Sequence, residues 1–89
     1  MNDETIISGC RRRDRDAQRQ LYERHAERIY RTVLRMVRDR DAAFDVTQET
    51  FVRAFQKIGS FDGRAAIGTW LYRIATNEAL QFLRKRETE

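Results

Sequence analysis

Proline is absent from the 89 residues and glycine occurs only four times, so little in the chain interrupts a helix by removing an amide donor or adding backbone freedom. With 36% of residues Asp, Glu, Lys or Arg, this composition favours helices joined by short connections over a sandwich of strands, whose many turns draw on Gly and Pro. An all-α fold is expected. At this length the chain makes one domain with a small core, burying about 60–65% of its unfolded surface. No apolar run approaches the roughly 20 residues of a membrane span, and "MNDETIISGC" lacks the basic start and long apolar stretch of a signal peptide, so a cytoplasmic location is expected. Cys10 is the only cysteine and His25 the only histidine, which leaves neither an internal disulfide nor a zinc ligand set. Cys10 reads as a small, partly buried residue and His25 as a surface or boundary residue.

Breaks at "SGCRRRD", "RDRD" and "GSFDG" delimit a short helix over 3–11 and three long ones near 14–37, 40–58 and 65–86, with a loop over 59–64. Asp14 or Asp16 can cap the second helix and Asp39 or Asp41 the third, because a carboxylate accepts from the unpaired first-turn amides. The last helix has no strong cap beyond Asp62.

Placing side chains at about 100° per residue assigns the faces. On the second helix Tyr22, Ala26, Ile29, Val33, Met36 and Val37 form a core face opposite a stripe of Arg24, Arg28, Arg31 and Arg35. That stripe reads either as a solvated face, supported by Glu27 to Arg31 pairing, or as a contact for phosphate or a partner protein. On the third helix Phe44, Thr47, Phe51, Ala54, Phe55 and Ile58 are expected inside, with Asp45, Glu49 and Gln56 on an outer ridge edged by Gln48 and Val52. On the last, Ile67, Leu71, Ile74, Ala75 and Phe82 face the core, Trp70 and Tyr72 sit at its two boundaries, and Arg73, Asn77 and Arg84 point away. Glu78 projects into the apolar face, so it needs an arginine from a neighbouring helix or a place where the core thins.

Charge is distributed unevenly. Residues 1 to 38 carry ten Arg against six acids, residues 39 to 52 one Arg against four acids, and residues 53 to 86 seven basic residues against two acids. An acidic stretch between two basic ones suits two different partners. Tyr72, Arg73 and Asn77 together offer base stacking, phosphate neutralisation and an amide for a base edge.

Two ordered blocks, Asp-x-x-Gln-Glu-x-Phe-x-x-Ala-Phe from Asp45 and Phe-x-Gly…Thr-Trp-Leu-Tyr-Arg-Ile-Ala-x-Asn from Phe61, resemble region 2 of bacterial extracytoplasmic-function sigma factors, the small alternative sigma subunits of RNA polymerase. "DRDAQRQLYERHAERIYRTVLRMV" is similar to the family's preceding helix, so the resemblance covers nearly the whole chain. It implies that the third helix docks on the clamp coiled coil of the polymerase β′ subunit through Asp45, Gln48 and Glu49, with Arg53 beside them. Complementary charge there would steer encounter and set register. It further implies that the loop and last helix melt the minus-ten promoter element and hold a base flipped from the non-template strand. Phe61, Gly63, Arg64 and Ala65 would form the reading loop, with Tyr72, Arg73 and Asn77 behind it. Unstacking that base costs a few kcal/mol, which stacking and polar contacts must offset. Lys57, Arg84, Lys85 and Arg86 would follow phosphates. An anti-sigma factor is a further partner that the resemblance allows, and no cofactor is implied.

Three positions depart from the family pattern. Phe44 stands where an acid is common, and the helical count turns it toward the core. Arg64 and Ala65 stand where many members have an acidic or polar residue, so the preferred promoter base is not inherited. Arg13 replaces a frequent helix-ending glycine. The second, helix-turn-helix domain of the family has no counterpart after Arg86, so either a fragment ending in the interdomain linker or a natural truncation is expected, the fragment being favoured. An enzyme is set aside for want of a nucleophile–base pair, a metal set or a phosphate-binding glycine loop. The rival reading is a helical module that binds only proteins, an anti-sigma factor for example; it leaves Tyr72, Arg73, Asn77 and the loop arginine without a joint task.

Overall fold

The computed structural model describes residues 2–88. Four helices follow one another, α1 over Asp3–Arg11, α2 over Arg15–Val37, α3 over Arg40–Lys57 and α4 over Ile67–Thr88, with a 3-10 turn at Ile58–Ser60. The all-α expectation holds, and the described residues contain no strand.

Each of the first three starts is set by a local acceptor. The Asn2 side chain takes the Thr5 amide at 2.9 Å, Asp14 takes that of Asp16 at 2.9 Å, and Asp39 takes that of Ala42 at 3.0 Å. These satisfy first-turn donors that the helix itself leaves unpaired. Two ends are made by arginines in the left-handed region, Arg13 at φ 62° and Arg38 at φ 57°. Arg13 is where the family pattern places glycine, and the backbone retains the glycine-like conformation despite the side chain.

The third helix stops one residue earlier than expected, because Ile58 opens the 3-10 turn, and the last begins at Ile67 and runs to Thr88 rather than spanning 65–86. The connecting loop is therefore 61–66, not 59–64. Asp62 does not cap α4: its carboxylate accepts the Arg64 amide at 3.0 Å, closing a turn inside the loop.

Between the long helices the core is Leu21, Ile29, Val33 and Val37 of α2, Ala43, Val46, Phe51 and Ala54 of α3, and Leu71, Ala75 and Ala79 of α4. Tyr22 meets Phe51 edge to face with centroids 4.9 Å apart, a favoured aromatic geometry. Ile6 and Cys10 bring α1 onto this core. Burial, reinforced by Asp14, pushes the Cys10 thiol up from its ordinary range, in keeping with a packing role.

One core assignment is corrected. Phe44 is 55% exposed, because it lies roughly 90° from the centre of the buried face of α3, counting about 100° per residue. Position 51, two turns on, is close to the same direction but sits where Tyr22 covers it.

Candidate protein and nucleic-acid interfaces

Asp45 and Glu49 are exposed on the outer face of α3, one turn apart. Arg53 continues the row and pairs with Glu49 at 3.6 Å. Gln48 is different: it is half-buried and its amide donates to the Tyr22 hydroxyl at 2.6 Å, so part of its role is to fix α3 against α2. Beside the acids, Phe44 and Val52, the latter 47% exposed, flank Gln48 at i,i+4 spacing. Apolar groups edged by charge are the usual make-up of a protein-binding patch. The helical count missed this one because it placed Phe44 inside.

Between α3 and α4 lies a cleft of about 440 Å3 lined by Arg53, Lys57, Trp70, Arg73, Asn77 and Glu78, among others. A second groove, lined by Asp45, Glu49, Arg53, Glu78, Phe82 and Lys85, continues along the same helix pair. Arg53 and Glu78 belong to both. Glu78 finds the arginine that its position demands: its carboxylate is 3.4 Å from Arg53, with the Glu78 side chain only 10% exposed.

The loop packs inward at one end. Phe61 is 7% exposed and lies against Trp70, centroids 5.2 Å apart, so its ring is a wedge under the loop and not a surface for stacking. Arg11 of α1 donates to the Phe61 carbonyl at 2.5 Å, a tie across fifty residues of sequence that no periodicity signals. Gly63 has φ 79°, a conformation that a side chain would strain. Arg64 projects into solvent and pairs with Asp62 at 3.3 Å. Gly63 and Ala65, with Asp3, Glu4, Ile7 and Arg11 of α1, line a third cleft of about 470 Å3, a volume that accommodates a small planar ligand.

The remaining basic residues disperse. Lys57 joins Arg73 and Asn77, Lys85 faces the groove containing Asp45 and Glu49, and Arg84 is exposed. Arg86 turns back, its guanidinium donating to the Val37 carbonyl at 3.5 Å and lying 5.9 Å from the Phe82 ring centre. Tyr72 is 50% exposed and sits on the opposite flank of α4 from Asn77, beside Arg28, Arg31 and Arg35 of α2. The structure thus gathers Lys57, Arg73 and Asn77 but separates Tyr72 from them. No helix is long and apolar enough to cross a membrane among the described residues.

Fold and surfaces define an all-α binding module with an acidic, apolar-edged patch on α3 and a basic cleft between α3 and α4. The family model of sigma-70 region 2 matches residues 21–89. Similar proteins include the ECF RNA polymerase sigma factor SigW of Bacillus subtilis, 36% identical over 93% of this chain and 44% of that protein. Another is the RNA polymerase sigma-H factor of Pseudomonas aeruginosa, 37% identical over 91% of this chain and 42% of its own length. An engineered region 2 of sigmaE, solved by NMR in complex with GTAAAA, superposes with a TM-score of 0.89 at 32% identity, covering 98% of this chain and 90% of that one. The chain belongs to the sigma-70 region 2 family, in its extracytoplasmic-function group. It spans less than half the length of the curated relatives it matches.

Proposed function

We propose that this chain binds core RNA polymerase and recognises and melts the minus-ten promoter element, as the region 2 domain of an alternative sigma factor acting in the cytoplasm. The observation that carries the reading is the division of labour along α3 and α4. Asp45 and Glu49 are free of the DNA-facing cleft, whereas Lys57, Arg73 and Asn77 converge in it. The β′ clamp coiled coil would seat on Asp45, Gln48, Glu49 and Arg53, with Phe44 and Val52 supplying apolar area. Charge complementarity there sets orientation more than affinity.

The non-template strand would run through the cleft, with Arg73 and Lys57 neutralising phosphate and the Asn77 amide offered to a base edge. A flipped base would enter the cleft formed by Gly63, Ala65 and α1. That the sigmaE relative was solved with GTAAAA supports a single strand as the ligand. An anti-sigma factor would act by covering either surface.

The test is retention of core RNA polymerase on the immobilised domain, comparing wild type with the double variant Asp45→Ala, Glu49→Ala, both checked by circular dichroism. Gln48 is left intact because of its bond to Tyr22. Loss of retention by a folded variant is expected; equal retention would refute the α3 assignment.

A further inference from the structure

The arginine stripe of α2 is left unused by this function, and the structure gives it a companion. Arg28, Arg31, Thr32 and Arg35 line a groove of about 450 Å3 with Tyr72 of α4. Arg31 pairs with Glu27 at 3.7 Å, both side chains being largely exposed. Arg28 and Arg35 make no ion pair among the described residues. Three guanidiniums therefore meet one carboxylate. They span about 10 Å of helix axis, room for two neighbouring phosphates.

The half-exposed ring of Tyr72 is the one aromatic surface in this groove. A protein partner would require an apolar centre to desolvate, and the groove has none beyond that ring. Guanidiniums around a lone aromatic suit a different ligand, one with regularly spaced anions and planar groups between them. A nucleic-acid single strand has that chemistry, since bases stack on an aromatic ring while phosphates take arginines. The location also fits. Tyr72 precedes Arg73 in sequence, and only the width of α4, about 10 Å, separates this groove from the Arg73–Asn77 cleft.

We propose that the groove of Arg28, Arg31, Arg35 and Tyr72 is a second track for single-stranded DNA, holding the strand beyond the Arg73–Asn77 cleft through two phosphates and one stacked base. The proposal rests on the promoter-strand reading above and extends it to the α2 arginines.

The test is fluorescence anisotropy with three labelled strands: GTAAAA alone, and GTAAAA extended by six thymidines at its 5′ or at its 3′ end. One extension should tighten binding to the wild-type chain by about fivefold or more, the lower range of a single stacking contact. The double variant Arg28→Ala, Arg35→Ala should lose that gain, and the slope of log affinity against log salt should fall by about 1.4, roughly 0.7 per phosphate. Tyr72→Ala should also lose the gain, and Tyr72→Phe, which keeps the ring, should retain it. The double variant Arg28→Ala, Arg35→Ala should bind GTAAAA itself as the wild type does. If neither extension tightens binding, or the gain survives in the double variant, the second track is refuted while the promoter-strand reading stands. If the wild-type chain binds none of the three strands, both fall together.

Discussion

The Arg53 guanidinium reaches across the α3–α4 crossing to the Glu78 carboxylate, Nε to Oε1 3.4 Å, in a pair whose acid is nearly buried and whose base is half exposed. The same Nε lies 3.6 Å from Glu49. Arg53 thus stands between an acid of the exposed α3 row and an acid at the wall of the basic cleft.

The two pairs should differ in worth. Removing Arg53 strands the Glu78 carboxylate away from water, a cost between that of an exposed pair, about 0–1 kcal/mol, and that of a buried one, about 3–5 kcal/mol. Arg53→Ala is expected to lower stability by about 1–2 kcal/mol and Glu49→Ala by under about 1 kcal/mol. Urea denaturation of both variants checks this; equal losses would mean that the Glu78 contact is no stronger than a surface pair.

Arg73 and Asn77 line the α3–α4 cleft, whose walls include neither Asp45 nor the exposed Phe44 and Val52. Arg73→Ala and Asn77→Ala should each leave association with core polymerase unchanged while reducing promoter opening by about tenfold, the scale of one lost polar contact to a base or phosphate. Permanganate reactivity of unpaired thymines at a reconstituted promoter measures the opening. Wild-type reactivity in both variants would remove the two residues from the promoter site.

Much of this arrangement is local and therefore legible in the sequence. Asp14 and Asp39 cap their helices with side chains that reach only two or three residues onward, and the apolar period places Leu71 and Ala75 inside. Even the misfit of Glu78 can be seen, since its direction along α4 is a property of the helix alone. Its partner is not visible, because that depends on which helix packs there. The same limit explains Tyr72. Its angle relative to Arg73 is plain, but only the packing of α2 and α3 on opposite flanks of α4 shows that the neighbours serve different grooves. Phe44 fails for another reason: at roughly 90° from the face centre, burial depends on whether a neighbouring side chain extends over it. The tie from Arg11 to the loop carbonyl has no sequence signature at all.

Packing of α1 on α2 depends on Gly9, where an added Cβ would overlap the Ala17 Cβ. Gly9→Ala should destabilise by about 1–3 kcal/mol despite the better helix propensity of alanine, as overpacking does. Arg13, four residues on, should respond oppositely. Its φ of 62° strains a residue with a Cβ, so Arg13→Gly should stabilise by about 0.5–1 kcal/mol after the greater freedom of glycine in the unfolded chain is counted. Thermal melts should separate the two variants in opposite directions from wild type, by about 4–8 °C per kcal/mol for a domain of this size. A stable Gly9→Ala variant would show that α1 is free to shift outward.

His25 should give the fold a pH dependence near neutrality. Its Nε2 is buried without a hydrogen-bond partner among the described residues, and burial holds the imidazole below its ordinary value of 6.5; Asp3 opposes this, while Arg28 and Arg24 add to it. In the unfolded chain the ring takes a proton near that ordinary value, so between the two values the unfolded state binds more protons than the folded one. Stability must then rise with pH across this window and be lost as pH falls through 6.5 toward the folded value. Urea midpoints at pH 7, 6 and 5 should decline for the wild type, and His25→Gln, which cannot titrate, should flatten the decline above the range where carboxylates begin to protonate. An equal decline in both proteins would place the responsible proton elsewhere.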